Sequence, residues 1–431
     1  MPSPDGTASR GGSGLGASGS PLRIRDFRRL LCARSLSFVG DGISQVAVTF
    51  AVLEVTRSAV AVGVVMAARA VPIVGFTLVS GVLADRYCRR RLMVISDVIC
   101  LAGQATLTVL VLTHSATVVA AACLQALHGF GTALFQPASS GMIRDVVPDH
   151  SLRKANALLG VSGGISVAIG PAAGGAMIAA TSPAFGLMAD SVTFLASGAL
   201  LLTIRRPAGR IPDGRGSRAR ADFRQGWREF VTRRWVLVSV AYFALYQMVV
   251  LAPLLVIGPV LFAGTEDGSR SWGLLLTCSG LGNVVGGLAA YRHTAGRILV
   301  TAYALTFPTL PPLVLLAAEA PVPLLAASMV VFGAGLSYAD TLWNTALQGN
   351  VPANLVGRLS SYDWFGSTAL RPLGLALAGP LAGAIGSHAL LYTAAAAGTV
   401  MTIVALMPAE VRNLQGVERG LPAGGPVRAD E

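Results

Sequence analysis

Charge is what this 431-residue sequence lacks: Asp, Glu, Lys and Arg make up only 13% of it, beside a hydrophobic fraction of 53%. Soluble globular chains carry about 25% charge, so a water-exposed surface is excluded for most of the molecule. Lysine is nearly absent, Lys154 being the single example, and arginine carries the basic chemistry. Cysteine is scarce as well. Cys32, Cys88, Cys100, Cys123 and Cys278 stand singly, with no CxxC or Cys/His cluster, which removes a disulfide framework and a metal site from consideration. No Walker lysine motif is present, which argues against ATP hydrolysis by this chain. Gly160-Val-Ser162-Gly-Gly164 fits the G-x-S-x-G hydrolase pattern but lies inside an apolar run, not on a strand-to-helix elbow. Gly14-Leu-Gly16-Ala-Ser-Gly19 fits G-x-G-x-x-G with no strand before it. No enzyme is expected.

Apolar runs are what the sequence has in quantity, and the mean hydropathy is +0.64. A spanning helix needs about 20 apolar residues. Twelve such runs are expected, near 30–55, 58–84, 92–112, 116–141, 155–180, 183–204, 235–262, 271–291, 298–318, 321–347, 359–386 and 388–408. Open strand edges cannot be satisfied in lipid, so the expected class is an all-α integral membrane protein. The arginines fall in alternate segments: Arg23 to Arg29, Arg86 to Arg91, Arg144 to Lys154, ten between Arg205 and Arg234, then Arg292, Arg297, Arg358 and Arg412. The other loops hold only Arg57 and Arg270. Basic residues accumulate on the cytoplasmic side, so both termini are expected there, in the cell membrane. The net charge of +12 reports this bias, and no nucleic acid is expected as a partner.

The expected organisation is an N-terminal tail (1–22), a six-helix half (23–204), a basic cytoplasmic linker (205–234), a second six-helix half (235–408) and a C-terminal tail (409–431). The tail is small and polar, of disordered composition. The linker reads as a solvated segment with some attraction to anionic headgroups. The halves echo each other: SGVLADRYCRRRLMV (80–94) matches GGLAAYRHTAGRILV (286–300), and Pro148 before Arg153 matches Pro352 before Arg358. Parallel six-helix repeats are one plan for transporters.

The segment Gly81-Val-Leu-Ala-Asp85-Arg86-Tyr-Cys-Arg89-Arg90-Arg91 resembles the loop signature of the major facilitator superfamily, G-x-L-a-D-R-x-G-R-[RK], with Cys88 replacing a glycine. The resemblance implies a latch between the halves on the cytoplasmic side, with Arg144 as a candidate partner for Asp85; simple positive-inside anchoring is the alternative. Gly170-Pro171-Ala-Ala-Gly174-Gly175 resembles the G-P-x-x-G-G signature of the antiporter branch. It implies a kinked, closely packed helix that limits leakage, against the plainer reading of a glycine-rich interface. Gln125-Ala-Leu-His128-Gly129-Phe-Gly131 stands where proton-coupled members carry R-x-x-q-G-x-G, so the usual arginine is missing. The wider pattern is similar to the subfamily of the enterobactin exporter and macrolide efflux proteins, in Phe27–Leu30, Gly40-Asp41, Ala67–Pro72 and Ala189–Phe194.

Ionisable residues at membrane depth are functional candidates by default, since each costs at least about 2.5–3.5 kcal/mol to insert. Asp41 and Arg69 each lie about eleven residues into their runs from opposite sides, which puts both roughly 16 Å deep at 1.5 Å per residue. Asp41 is a candidate proton-coupling carboxylate with Arg69 as its partner; a static pair holding two helices together is the equal alternative. Arg371 sits at similar depth in the other half. Asp340 is the second candidate for the pathway. His128 can titrate near neutral pH, though a lone helical histidine is more often a packed hydrogen-bonding residue. Asp190, nearer the outer face, and Asp363, nearer the inner face, read as helix-end and gating contacts. Gln45, Gln125, Gln247, Asn283 and Asn344 are candidates to line a cavity or to bridge helices, with Tyr246 and Trp343 as aromatic surface for an amphipathic ligand.

The expectation is a secondary transporter that exports an amphipathic small molecule by alternating access, in exchange for protons. It needs no cofactor beyond the proton gradient, and its partners are the substrate and the lipid bilayer around a monomer. An importer or facilitator on the same fold is the first alternative. A non-transporting membrane sensor is the second.

Overall fold

The computed structural model describes residues 20–205, 228, 230–265, 267–292, 296–351 and 353–414. The expected tails and the basic linker therefore lie largely outside the described residues. Twelve helices are long and apolar enough to cross a membrane. They are α1 (Arg25–Thr56), α2 (Ala59–Arg86), α3 (Arg89–Leu112), α4 (Val118–Val146), α5 (Leu152–Ala180) and α6 (Pro183–Thr203). The second six are α7 (Arg234–Phe262), α8 (Gly268–Arg292), α9 (Ile298–Ala317), α10 (Val322–Asn350), α11 (Leu359–Ile385) and α12 (Ser387–Ala405).

Local chemistry sets the boundaries. Ser58 and Thr117 cap α2 and α4 by accepting the amides of Ala61 (3.4 Å) and Ala120 (3.2 Å). Pro183 starts α6 at a position that has no helical partner for an amide. α1 begins earlier than the apolar run suggested, because Phe27 and Leu30 are fully buried. α9 is not one continuous helix as expected: Pro308, Pro311 and Pro312 break it into Ile298–Ala304, a 3₁₀ turn at Phe307–Thr309 and Pro311–Ala317. α7 carries a π-helical stretch at Gln247–Leu251, and α11 is interrupted after Thr368.

The two sets of six helices meet through α5 against α8 and α2 against α11. Small residues allow this approach. A Cβ on Gly175 would stand 2.5 Å from the Ser269 carbonyl, and one on Gly280 would stand 2.7 Å from the Ala168 Cα. On the other seam Gly63 lies against Leu375 and Gly379 against Val60. These contacts crowd the face of the bundle opposite the termini. Toward the termini the same stripes separate. Gly164 still meets Val284 at 3.7 Å, but Gly160, one turn on, has nothing within 4 Å. Gly81, five turns along α2 from Gly63, likewise faces open space. The halves form a wedge that opens toward the terminal face.

Candidate functional site: a charged cluster in the first half and a helix crossing beside it

Asp41 on α1 and Arg69 on α2 form an ion pair at 2.6 Å. The same Asp41 oxygen lies 3.1 Å from His128 Nε2 on α4. His128 is completely buried, its other ring nitrogen has no hydrogen-bond partner among the described residues, and its ring stands edge-on to Phe194 at 5.3 Å. The glycines that follow it explain how it gets there. Gly129 lies against the backbone of Arg69, and a Cβ on Gly131 would sit 2.5 Å from Cys100 Sγ. α4 is thereby pressed onto α2 and α3, which brings the imidazole to the carboxylate.

A second polar chain runs beside the first. Gln125 donates to Gln104 Oε1 (2.9 Å), and Gln104 donates to Asp190 Oδ2 (2.7 Å) and to Ser44. Asp190 is fully buried and reaches α1 at Gly40, where a Cβ would come within 2.5 Å of its Oδ1. Asp190 is thus part of this packed chain and not the helix-end contact the sequence suggested, because α6 crosses α1 at Gly40. Asp97, almost as buried, accepts from Ser197 at 2.7 Å. Gln104, Ser44 and Asp97 were not singled out from the sequence. The signal for Asp97 was present, an acidic residue about one third of the way into an apolar run; a glutamine such as Gln104 carries no signal until helix rotation is known.

Replacing Gln104 with Leu removes the donor to Asp190 Oδ2 and Ser44 and the acceptor of Gln125 at once. Each buried group left unpaired costs about 1–3 kcal/mol, so thermal unfolding of the purified variant should shift down by many degrees. An unchanged melting curve would contradict the chain of hydrogen bonds.

The second half has a different character. Tyr242 shares hydrogen bonds with Thr306 (2.6 Å) and Thr402 (2.9 Å), Tyr246 with Thr309 (2.5 Å), and Tyr303 donates to Ser239 (2.7 Å). Hydroxyls do here what charges do in the first half. Trp343 donates to Asp363 (2.8 Å), and Asn344 to Asp340 (3.2 Å). Gln125, Tyr246 and Trp343 are buried, whereas Asp340 and Asn344 are exposed, and Gln45, Asn283 and Gln247 are half-buried. Arg371 is half-buried at mid-depth, with no carboxylate partner among the described residues.

The G-P-x-x-G-G segment lies at a crossing of three helices. A Cβ on Gly170 would stand 2.8 Å from the Cα of Gly42, and one on Gly174 would stand 2.9 Å from that of Ile43, both on α1. One helical face round, Pro171 and Gly175 meet Gly273 and Ser269 of α8. Gly42 follows Asp41 directly, so the charged cluster and the seam between the halves share one turn of α1. At the terminal face Arg89 pairs with Asp145 (2.8 Å) and donates to the Gly141 carbonyl (3.1 Å), while Arg90 donates to the Ile204 carbonyl (2.6 Å). This pair and Arg29–Asp26 (3.0 Å) both lie inside the first half; Arg86 and Arg144 are exposed, and the side chain of Asp85 lies outside the described residues.

Comparison with known proteins agrees with this architecture. The chain is 27% identical over 400 residues to the multidrug efflux pump Tap of Mycolicibacterium fortuitum, covering 89% of this chain and 96% of that protein. It is 26% identical to the Tap pump of Mycobacterium tuberculosis, covering 89% and 94%. Among solved structures, a variant of the nucleoside transporter NupG superposes with a TM-score of 0.71 at 12% identity, over 88% of this chain and 99% of that one, a likeness of fold alone. Residues 16–419 match the transmembrane secretion effector family. With twelve spans, two six-helix sets and that match, the chain belongs to the transmembrane secretion effector family of major facilitator transporters, and it is a transporter and not an enzyme.

Proposed function

We propose that this transporter exports amphipathic small molecules of the drug or secondary-metabolite kind from the cytoplasm, by alternating access in exchange for protons. The observation that carries the reading is the position of Asp41. Its carboxylate is bound to Arg69 and His128, and its chain neighbour Gly42 abuts Gly170 on the helix that forms the seam with α8. Protonating Asp41 removes the charge that holds Arg69, and the resulting shift of α1 against α2 reaches the seam through Gly42. Interfaces this closely packed switch between discrete arrangements and do not deform continuously. The arginine distribution supports cytoplasmic termini, so the wedge opens to the cytoplasm, the state that receives an outbound substrate. Gln45, Gln247, Asn283, Asp340 and Asn344 are the polar side chains offered to that substrate. Arg86, Arg89, Arg90 and Asp85 are assigned to closing the cytoplasmic side in the opposite state. The names of the Tap pumps support the substrate class. The protein is proposed to act as a monomer in the cell membrane, its two halves joined by the 205–234 linker.

Direction of transport is tested in cells lacking their own efflux pumps. Expression should lower the steady-state accumulation of ethidium, and an uncoupler should restore it to the level of cells without the protein. Raised accumulation would identify an importer. An uncoupler-insensitive decrease would exclude coupling to the proton gradient.

A further inference from the structure

We propose that the pathway holds a binding site for an organic anion, a carboxylate-bearing amphiphile, centred on Arg371 of α11 and completed by Gln247 of α7. The proposal deepens the transport reading and rests on it for the identity of the ligand as cargo.

Arg371 is the first residue of the second segment of α11, beyond the interruption at Ala369 and Leu370. It shares a face with Leu375 and Gly379, four and eight residues on, which touch α2 at Gly63 and Val60. It therefore lies on the seam between the halves, one turn nearer the open side of the wedge than the last close contact. Among the described residues it has neither an ion pair nor a hydrogen-bond partner. Arg69 has Asp41 to neutralise it, and Arg371 has no such partner among the described residues. Asp363, two turns earlier on α11, is already occupied by Trp343 and Ser367. A guanidinium at this depth without a counter-charge is costly, and a cation retained under those conditions marks a place where an anion arrives.

Gln247 gives an independent indication at the same level. The backbone of its neighbour Met248 packs on Gly374, where a Cβ would stand 2.6 Å from the Met248 Cα. Gly374 is one turn from Arg371. Gln247 opens the π-helical stretch of α7, a local distortion frequent at functional sites. Its Oε1 is buried and has no hydrogen-bond partner among the described residues. A planar guanidinium matches a carboxylate in two parallel hydrogen bonds, and a side-chain amide one turn away serves a polar group beside that carboxylate.

Full-length protein in phosphatidylcholine nanodiscs, where lipid brings no net anion, is titrated with N-dansylglycine and with its methyl ester, following dansyl fluorescence. The acid should bind saturably and at least tenfold more tightly than the ester, a difference of about 1.4 kcal/mol. Arg371→Gln should weaken the acid at least tenfold, to the level of the ester, and leave the ester unchanged; Arg371→Lys should keep most of the preference. The acid–ester comparison on the unaltered protein needs no variant to fold. Equal binding of acid and ester, no effect of Arg371→Gln, or no saturable binding of the acid at millimolar concentration would each overturn the proposal. Failure of ethidium export with acid binding intact would instead overturn the exporter reading and leave the anion site standing.

Discussion

Gly175→Leu is expected to abolish transport while the protein still inserts and folds. A side chain there has nowhere to go: the first added carbon would meet the Ser269 carbonyl at 2.5 Å and the Gly273 Cα at 3.1 Å, both backbone atoms of α8. Overpacking a closed interface costs typically about 1–3 kcal/mol, and here the cost falls on the one state in which the halves touch at this end. That is enough to shift a two-state balance by roughly ten- to a hundredfold, and alternating access needs both states. Ethidium efflux should fall at least tenfold. Gly383→Leu is the control, because Gly383 on α11 has nothing within 4 Å; it should transport like the original. Gly170→Leu should also fail, by separating α5 from α1 at Gly42, within the first half. Retained efflux in Gly175→Leu would mean the α5–α8 seam is not part of the transport cycle.

The second large effect is expected at Asp41. Asp41→Asn leaves the Arg69 cation at membrane depth without its carboxylate and gives His128 Nε2 a neutral amide in place of a charged partner. Breaking a fully buried ion pair on one side costs about 3–5 kcal/mol, most of it the penalty of the charge left behind; this pair is half-buried, and its loss costs less than that. The variant should therefore be less stable to heat, and Asp41→Asn combined with Arg69→Gln should regain much of the loss. Recovery of stability without recovery of coupled transport separates the two roles that the sequence left equal, a strut and a proton carrier. If the double variant regains both, the pair is only a strut.

How far the sequence reached is best judged from these same residues. Twelve spans follow from composition, because lipid demands long apolar helices and little else competes with that demand. Counting residues from each end puts Asp41 and Arg69 at equal depth, and the pair lies at 2.6 Å; its role is a separate matter. The Gly170–Gly175 motif reveals that something packs closely, but not that one side meets α1 and the other α8, since helix neighbours depend on the fold of the whole bundle. Asp190 and Gln104 show the limit most plainly. Depth along a helix can be counted, whereas the rotation that aims Gln104 at Asp190 and Ser44 comes from tertiary packing. The basic cluster after Gly81 gives the location of the terminal face but not that Arg89 pairs with Asp145. The broken α9 is legible in Pro308, Pro311 and Pro312, which remove three helical amides within five residues.

The central claim is that Asp41 couples substrate to protons, and the most direct measurement is proton release from inverted, respiring vesicles when a macrolide or ethidium is added. The unaltered protein should release protons on addition of substrate, and Asp41→Asn present at equal amount should release none. Release that persists in Asp41→Asn would contradict the assignment of Asp41, and no release from the unaltered protein while it exports the same compound would contradict proton antiport altogether.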